Sequence, residues 1–147
     1  EQYRYAIDVR RPGELSLPGV GRLEWETVTA SGAERADFGN DRFLAWFEPS
    51  ETSLPWIVRT RLPGDRMMPL GLNGTKKVKD IFVDGKLPKR LRGQWPILTD
   101  GSDRILWIPG FRRSRWALTG DRPAAVVRMK FTYAGDGSGW NGEDGSA

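Results

Sequence analysis

Polar and apolar positions alternate with a period of two through much of the first third of the chain, the spacing of half-buried strands. In residues 21–30 (GRLEWETVTA), Leu23, Trp25, Thr27 and Thr29 alternate with Glu24, Glu26 and Val28. Residues 3–10 (YRYAIDVR) alternate more loosely, 42–48 (RFLAWFE) are apolar and aromatic, and 56–61 (WIVRTR) start apolar and turn basic. Each predicts a strand. Between them Pro-Gly recurs at 12–13, 18–19, 63–64 and 109–110. Proline presets φ and glycine accepts φ > 0, so each pair suits the centre of a type II turn. The flanking residues differ, so this is recurring turn chemistry without an internal repeat.

The pattern changes midway. Residues 62–74 (LPGDRMMPLGLNG) form a long Gly- and Pro-rich connection, too irregular for a helix. A short helix is expected from Thr75 to Asp84, because Val78, Ile81 and Phe82 fall at i, i+3 and i+4. A second should begin at Pro88, a favoured first helical position, and run through KRLRGQ. WPILTD and RILWIPG then flank GSD as a hairpin over 95–110, and residues 125–133 (AVVRMKFTY) read as the last strand. The fold class expected is α+β: mostly antiparallel strands, sandwich-like, with one or two short inserted helices. One domain is expected over 1–133. A Gly-rich acidic tail follows over 134–147, expected to be flexible, with Trp140 its one anchor.

Composition narrows the chemistry. The 147 residues contain no cysteine and no histidine. Disulfides, thiolate nucleophiles, Cys-ligated zinc and any Ser–His–Asp or Cys–His arrangement are therefore excluded. The lack of cysteine suits a reducing cytosol, and a cytoplasmic location is expected. No apolar run approaches the roughly 18 residues a membrane helix needs. The chain starts at Glu1, which suggests a piece of something longer. Its net charge of +4 is unevenly spread: residues 59–115 hold fourteen Lys/Arg against five acids, net +9, leaving −5 for the rest. A basic middle between acidic ends is the footprint of a domain that meets an anionic polymer or surface. A solvated surface of mixed sign is the plain alternative.

Residues 73–80 (NGTKKVKD) sharpen the question, since Lys76, Lys77 and Lys79 head a predicted helix where the dipole is already positive. A docked phosphate would turn that cost into a gain. PKRLR repeats the pattern with Lys89, Arg90 and Arg92. GFRRSRW adds Arg112, Arg113 and Arg115 around Phe111 and Trp116, the two aromatics being expected in the core. In PGDR, Asp65 is expected to cap or brace the loop while Arg66 points out. Asp65 paired with Asp80 or Asp84 would make a catalytic carboxylate pair, but no nucleophile, metal-ligand set or phosphate loop accompanies it.

These residues also stand in a recognisable order. R-x-R-x-x-G-D-R from Arg59 is followed by P-x-G-x-x-G-x-K-K-x-K-D, then F-x-D-x-K-x-P, P-I-L-x-D-G, W-x-P-G and Arg112. In this order, spread over 59–116, the chain resembles the C-terminal domain of bacterial tRNA(Ile)-lysidine synthase. Met67 stands where that family commonly carries an aromatic. The resemblance implies a fold shared with a domain of the phenylalanyl-tRNA synthetase β-subunit. It also implies a parent ligase that uses ATP and Mg to convert the wobble cytidine of a CAU-anticodon isoleucine tRNA to lysidine. The S-G-G-x-D-S loop of that chemistry is absent from this sequence, so the domain is expected to grip tRNA for a separate N-terminal catalytic domain, with no cofactor or catalytic residue of its own. The expected RNA contacts are Lys76, Lys77 and Lys79; Lys89, Arg90 and Arg92; and Arg112, Arg113 and Arg115. Arg66 is a further contact or, with Arg59 and Arg61, a brace. Homodimerisation stays open. So does the alternative of an interaction module packing on its own catalytic domain or a twin subunit without touching RNA.

Overall fold

The structure, a computed structural model, describes residues 2–28, 41–120 and 125–135. Its strands are β1 (Arg4–Ile7), β2 (Gly13–Leu17), β3 (Gly21–Val28), β4 (Leu44–Phe47), β5 (Trp56–Arg59) and β6 (Arg66–Met67). They continue as β7 (Lys76–Lys77), β8 (Ile97–Thr99), β9 (Ile105–Ile108), β10 (Arg112–Arg113) and β11 (Val126–Tyr133). The helices α1 (Val78–Asp84) and α2 (Lys89–Arg92) lie between β7 and β8. One antiparallel sheet has the order β1-β5-β8-β9-β10, a second β2-β3-β11-β4, and β6-β7 form a separate ribbon. The α+β expectation holds.

Alternation decides which side chains meet. β3 and β11 pair over eight residues, with Leu23 opposite Phe131 and Trp25 opposite Met129 turned inward. Their outward neighbours Glu24 and Glu26 oppose Lys130 and Arg128. In the other sheet, Val58, Leu98 and Trp107 are neighbours across β5, β8 and β9 and so share a face. Phe47 of β4 joins the sheets: its ring centre lies 5.6 Å from that of Trp56 and 6.0 Å from that of Trp107. Helix α1 is tied in through Phe111, which its Phe82 meets at 5.7 Å and Trp95 meets at 5.9 Å. Trp95 also touches Phe131 of β11 at 5.2 Å. Trp56, Trp95 and Trp107 are buried, and each such side chain contributes at least about 1.5–3 kcal/mol relative to exposure.

Several boundaries differ from the expectation. Lys76 and Lys77 are not helical: they pair with Met67 and Arg66, and the Val78 amide donates to the Asp65 carbonyl at 3.0 Å. Holding these residues extended delays α1 to Val78 and leaves it only seven residues. Pro88 caps α2 from outside rather than opening it. Three of the four Pro-Gly pairs place glycine at positive φ (Gly19, Gly64, Gly110), whereas Gly13 opens β2, a strand the sequence pattern did not reveal. Residues 29–30 of the strand predicted over 21–30 and most of the tail, Trp140 included, lie outside the described residues.

Candidate nucleic-acid interface

Much of the ordered motif builds the frame of the site. Arg59, 3% exposed, donates to both oxygens of Asp65 at 2.9 and 3.0 Å and reaches Asp103 at 3.4 Å. Burial alone would lower the Arg59 pKa; hydrogen bonds and charge from Asp65, with Asp103 behind them, more than offset it and raise it. Asp65 also accepts from the Leu62 amide at 2.8 Å. This carboxylate is thus a loop brace, fully engaged by a guanidinium. Asp100, buried, accepts from the amides of Ser102 and Arg104, both at 3.0 Å, and from the Arg104 side chain, closing the β8–β9 hairpin. In W-x-P-G, the Pro109 carbonyl accepts the Trp95 indole N–H at 2.9 Å. A Cβ on Gly110 would sit 2.7 Å from the Phe43 ring, and its φ is +83°. Met67 is buried.

On this frame the 66–77 ribbon projects the first basic set. Arg66 lies directly opposite Lys77, and its Nε donates to Thr75 Oγ1 at 2.9 Å. Both cations are exposed, as is Lys79 in the first turn of α1. Lys76 is half-buried and paired with Asp84. The segment after β9 is stitched to the same ribbon: Pro69 bridges Ser114, and Leu70 N–H donates to the Arg113 carbonyl at 2.9 Å. Arg115 is exposed and donates to the Leu72 carbonyl at 2.9 Å. α2 carries the remaining set, with Lys89 and Arg90 exposed and Arg92 half-buried, its Nε on the Leu87 carbonyl at 2.7 Å. Lys77, Lys79, Lys89 and Arg112 make no ion pair among the described residues.

Arg113 is placed otherwise. Its guanidinium donates to the carbonyls of Trp46 (2.7 Å), Trp116 (2.9 Å) and Ser114 (3.0 Å), and lies 4.7 Å over the Phe47 ring. Burial pushes its pKa down to about 10, so it remains charged at neutral pH. Arg113, half-buried, therefore spends its guanidinium donors on backbone carbonyls of the frame. Phe111 is buried and Trp116 half-buried under Arg104, 4.5 Å from its ring.

Two clefts sit beside this set. One of about 370 Å³ has mostly apolar walls, among them Leu44, Trp46, Leu70, Phe111 and Leu118, with Arg42 and Arg112 among its polar residues. The other, about 190 Å³, gathers Arg42, Lys76, Arg112 and Asp84 around Ile81 and Phe111. Arg42 lies outside the basic stretch of the sequence and is missed by a charge count. Its one local signal is a cation heading a strongly apolar strand. Among the described residues no group of His, Cys, Asp and Glu is arranged to hold a metal ion, and no helix is long and apolar enough to cross a membrane.

The architecture defines the class first. An N-terminal fragment of the phenylalanyl-tRNA synthetase β-subunit from Pyrococcus horikoshii superposes with a TM-score of 0.52 at 14% identity, over 82% of this chain and 39% of that one, a likeness of fold alone. This is the α+β sandwich class to which that fragment belongs. Residues 57–132 match the family described as the TilS substrate C-terminal domain. A crystal structure of a TilS C-terminal domain superposes at a TM-score of 0.81 with 33% identity, over 92% of this chain and all of that one. The tRNA(Ile)-lysidine synthase of Bacillus licheniformis is 44% identical over 112 residues, 76% of this chain and 22% of the relative. That of Geobacter sulfurreducens is 48% identical over 122 residues, 81% of this chain and 25% of the relative. The chain belongs to the tRNA(Ile)-lysidine synthase family and corresponds to the C-terminal domain of those enzymes. It spans about a quarter of the length of these curated relatives.

Proposed function

We propose that the domain holds the acceptor-stem side of a CAU-anticodon isoleucine tRNA and so presents the wobble cytidine to an N-terminal catalytic domain that uses ATP and Mg. The observation that carries this reading is the pairing of Arg66 with Lys77 across the β6–β7 ladder, both exposed, with Lys79 one step further along. Like charges directly opposed in a ladder are destabilising in water. Phosphates of an RNA backbone reverse the sign of that term. A-form stems are recognised through shape, phosphate and 2′-OH, so such contacts orient the RNA with little sequence preference. Lys76, Lys77, Lys79, Arg66, Arg112 and Arg115 supply one group of contacts, and Lys89, Arg90 and Arg92 of α2 a second.

A second reading, docking on the catalytic domain without RNA contact, has support in the apolar cleft, at which Leu70 is 45% and Leu118 40% exposed. Salt separates the two. The 147-residue chain, titrated with the CAU isoleucine tRNA over a salt series, should lose affinity with a log–log slope of about 4–8 phosphates at ~0.7–0.9 each. Absent binding, or binding indifferent to salt, overturns the RNA reading in favour of docking.

A further inference from the structure

Lys76 and Asp84 meet at the cleft whose walls also carry Arg42 and Arg112, with Ile81 and Phe111 as its apolar side. Three cations thus surround one carboxylate. Asp84 is the last residue of α1, the end at which a helix dipole disfavours an acid and no basic residue offsets it. Its side chain is 62% exposed, while that of Lys76 is only 28% exposed. Nothing in the helix itself favours Asp84. What the carboxylate does is neutralise Lys76 and hold its ammonium against the cleft. Arg112, on the edge strand β10, lines the same cleft without an ion pair among the described residues.

We infer that this cleft seats a single phosphate group of the bound RNA and that Asp84 is its internal placeholder. On binding, the phosphate takes the place of the Asp84 carboxylate on Lys76 and is held by Lys76 and Arg112, with Arg42 completing the wall. The carboxylate, mostly exposed, returns to water. The inference rests on the RNA-binding reading above and deepens it, because it names the atoms exchanged. It also gives Asp84 a sign opposite to that of its neighbours: neutralising it strengthens binding.

The test is a cycle of Asp84→Asn, Lys76→Gln and the double variant, each titrated with the CAU isoleucine tRNA. Asp84→Asn should tighten binding roughly two- to five-fold, the range set by the worth of an exposed ion pair. That gain should vanish in the Lys76→Gln background. No tightening, or tightening that persists without Lys76, overturns the inference while leaving the salt-dependent RNA grip of the parent chain intact. A second arm uses inorganic phosphate alone, followed through the amide resonances of Gly85 and Arg112. Those resonances should shift at lower phosphate concentration in Asp84→Asn than in the parent chain, and Arg112→Gln should abolish the shift. If tRNA binding itself fails, this arm still decides: saturable shifts retain a phosphate seat, and unchanged spectra overturn it.

Discussion

Arg112 and Arg113 are adjacent, alike in chemistry and opposite in role. Successive strand residues point to opposite faces, so β10 can offer only one of the two to each side. Arg113 takes the inner side and supplies three carbonyls with donors. Arg112 lines both clefts, whereas Arg113 reaches only the larger one. Replacing Arg113 by Met should cost about 1–3 kcal/mol for the donors withdrawn from buried carbonyls, read by urea unfolding, with the salt slope of tRNA binding unchanged. Arg112→Met should do the reverse, lowering the slope by about 1 with stability held within about 0.5 kcal/mol. In GFRRSRW nothing local distinguishes the two. The same limit applies to Asp65, which the motif places beside a turn but whose bidentate guanidinium comes from β5. Asp65→Ala leaves Arg59 buried without its main partner and should cost about 3–5 kcal/mol, measured by the same unfolding curve.

At the scale of elements, local period and tertiary pairing competed over residues 75–84. The i, i+3, i+4 spacing of Val78, Ile81 and Phe82 is real, and all three are buried on α1. The ribbon with Arg66–Met67 captured Lys76 and Lys77 before the helix could start. Lys77 therefore stands against an opposed cation, Arg66, while Lys76 faces Met67 and only Lys79 remains in the first turn of the helix. Strands with strong alternation, β3 and β11 above all, were legible in sequence because the pattern that defines them is the one that packs them. Two-residue strands such as β6, β7 and β10 were not, because too few positions exist to show a period. β1 is joined to the segment after α2 by the Tyr3 hydroxyl, which donates to the Gln94 carbonyl at 2.7 Å. Burial, and secondarily the charge Tyr5 would carry, push the Tyr3 phenol well above its ordinary value. Ionisation is then easier in the unfolded chain, so the stability due to this group is complete below about pH 10 and lost as pH rises past it. Tyr3→Phe should flatten that alkaline decline, at a cost of about 0.5–1.5 kcal/mol at neutral pH, in unfolding curves taken from pH 7 to pH 11.

Across the whole molecule, the two sheets and helices form a frame held by Phe47, Trp56, Trp95, Trp107 and Phe111, and most cations of the basic middle that do not brace it lie at the ribbon, the β10 edge and α2. The sum of +9 over residues 59–115 overstates the interface. Arg59, Arg104 and Arg113 belong to the frame, and Lys76 is matched by Asp84. Replacing Lys77 and Lys79 together by Ala should lower the tRNA salt slope by about 2 and leave the thermal midpoint nearly unchanged, since both side chains are exposed. An unchanged slope in a folded variant would remove the ribbon from the interface.

The sequence by itself determined the α+β class, the longer strands, three of the four Pro-Gly turns, the exclusion of histidine and cysteine chemistry, and the family. These rest on short-range periodicity, on φ preferences within dipeptides, on composition and on motif order, none of which needs the folded chain. Tertiary structure alone decided which arginine of a pair turns inward, that Arg59 is the partner of the Asp65 brace, that Lys76 meets Asp84, and that Arg42 joins a cleft with residues from the basic middle. Each of these depends on register and on chain segments brought together from a distance. The free energy that selects them lies in burial and pairing across the core, which no local stretch of residues contains.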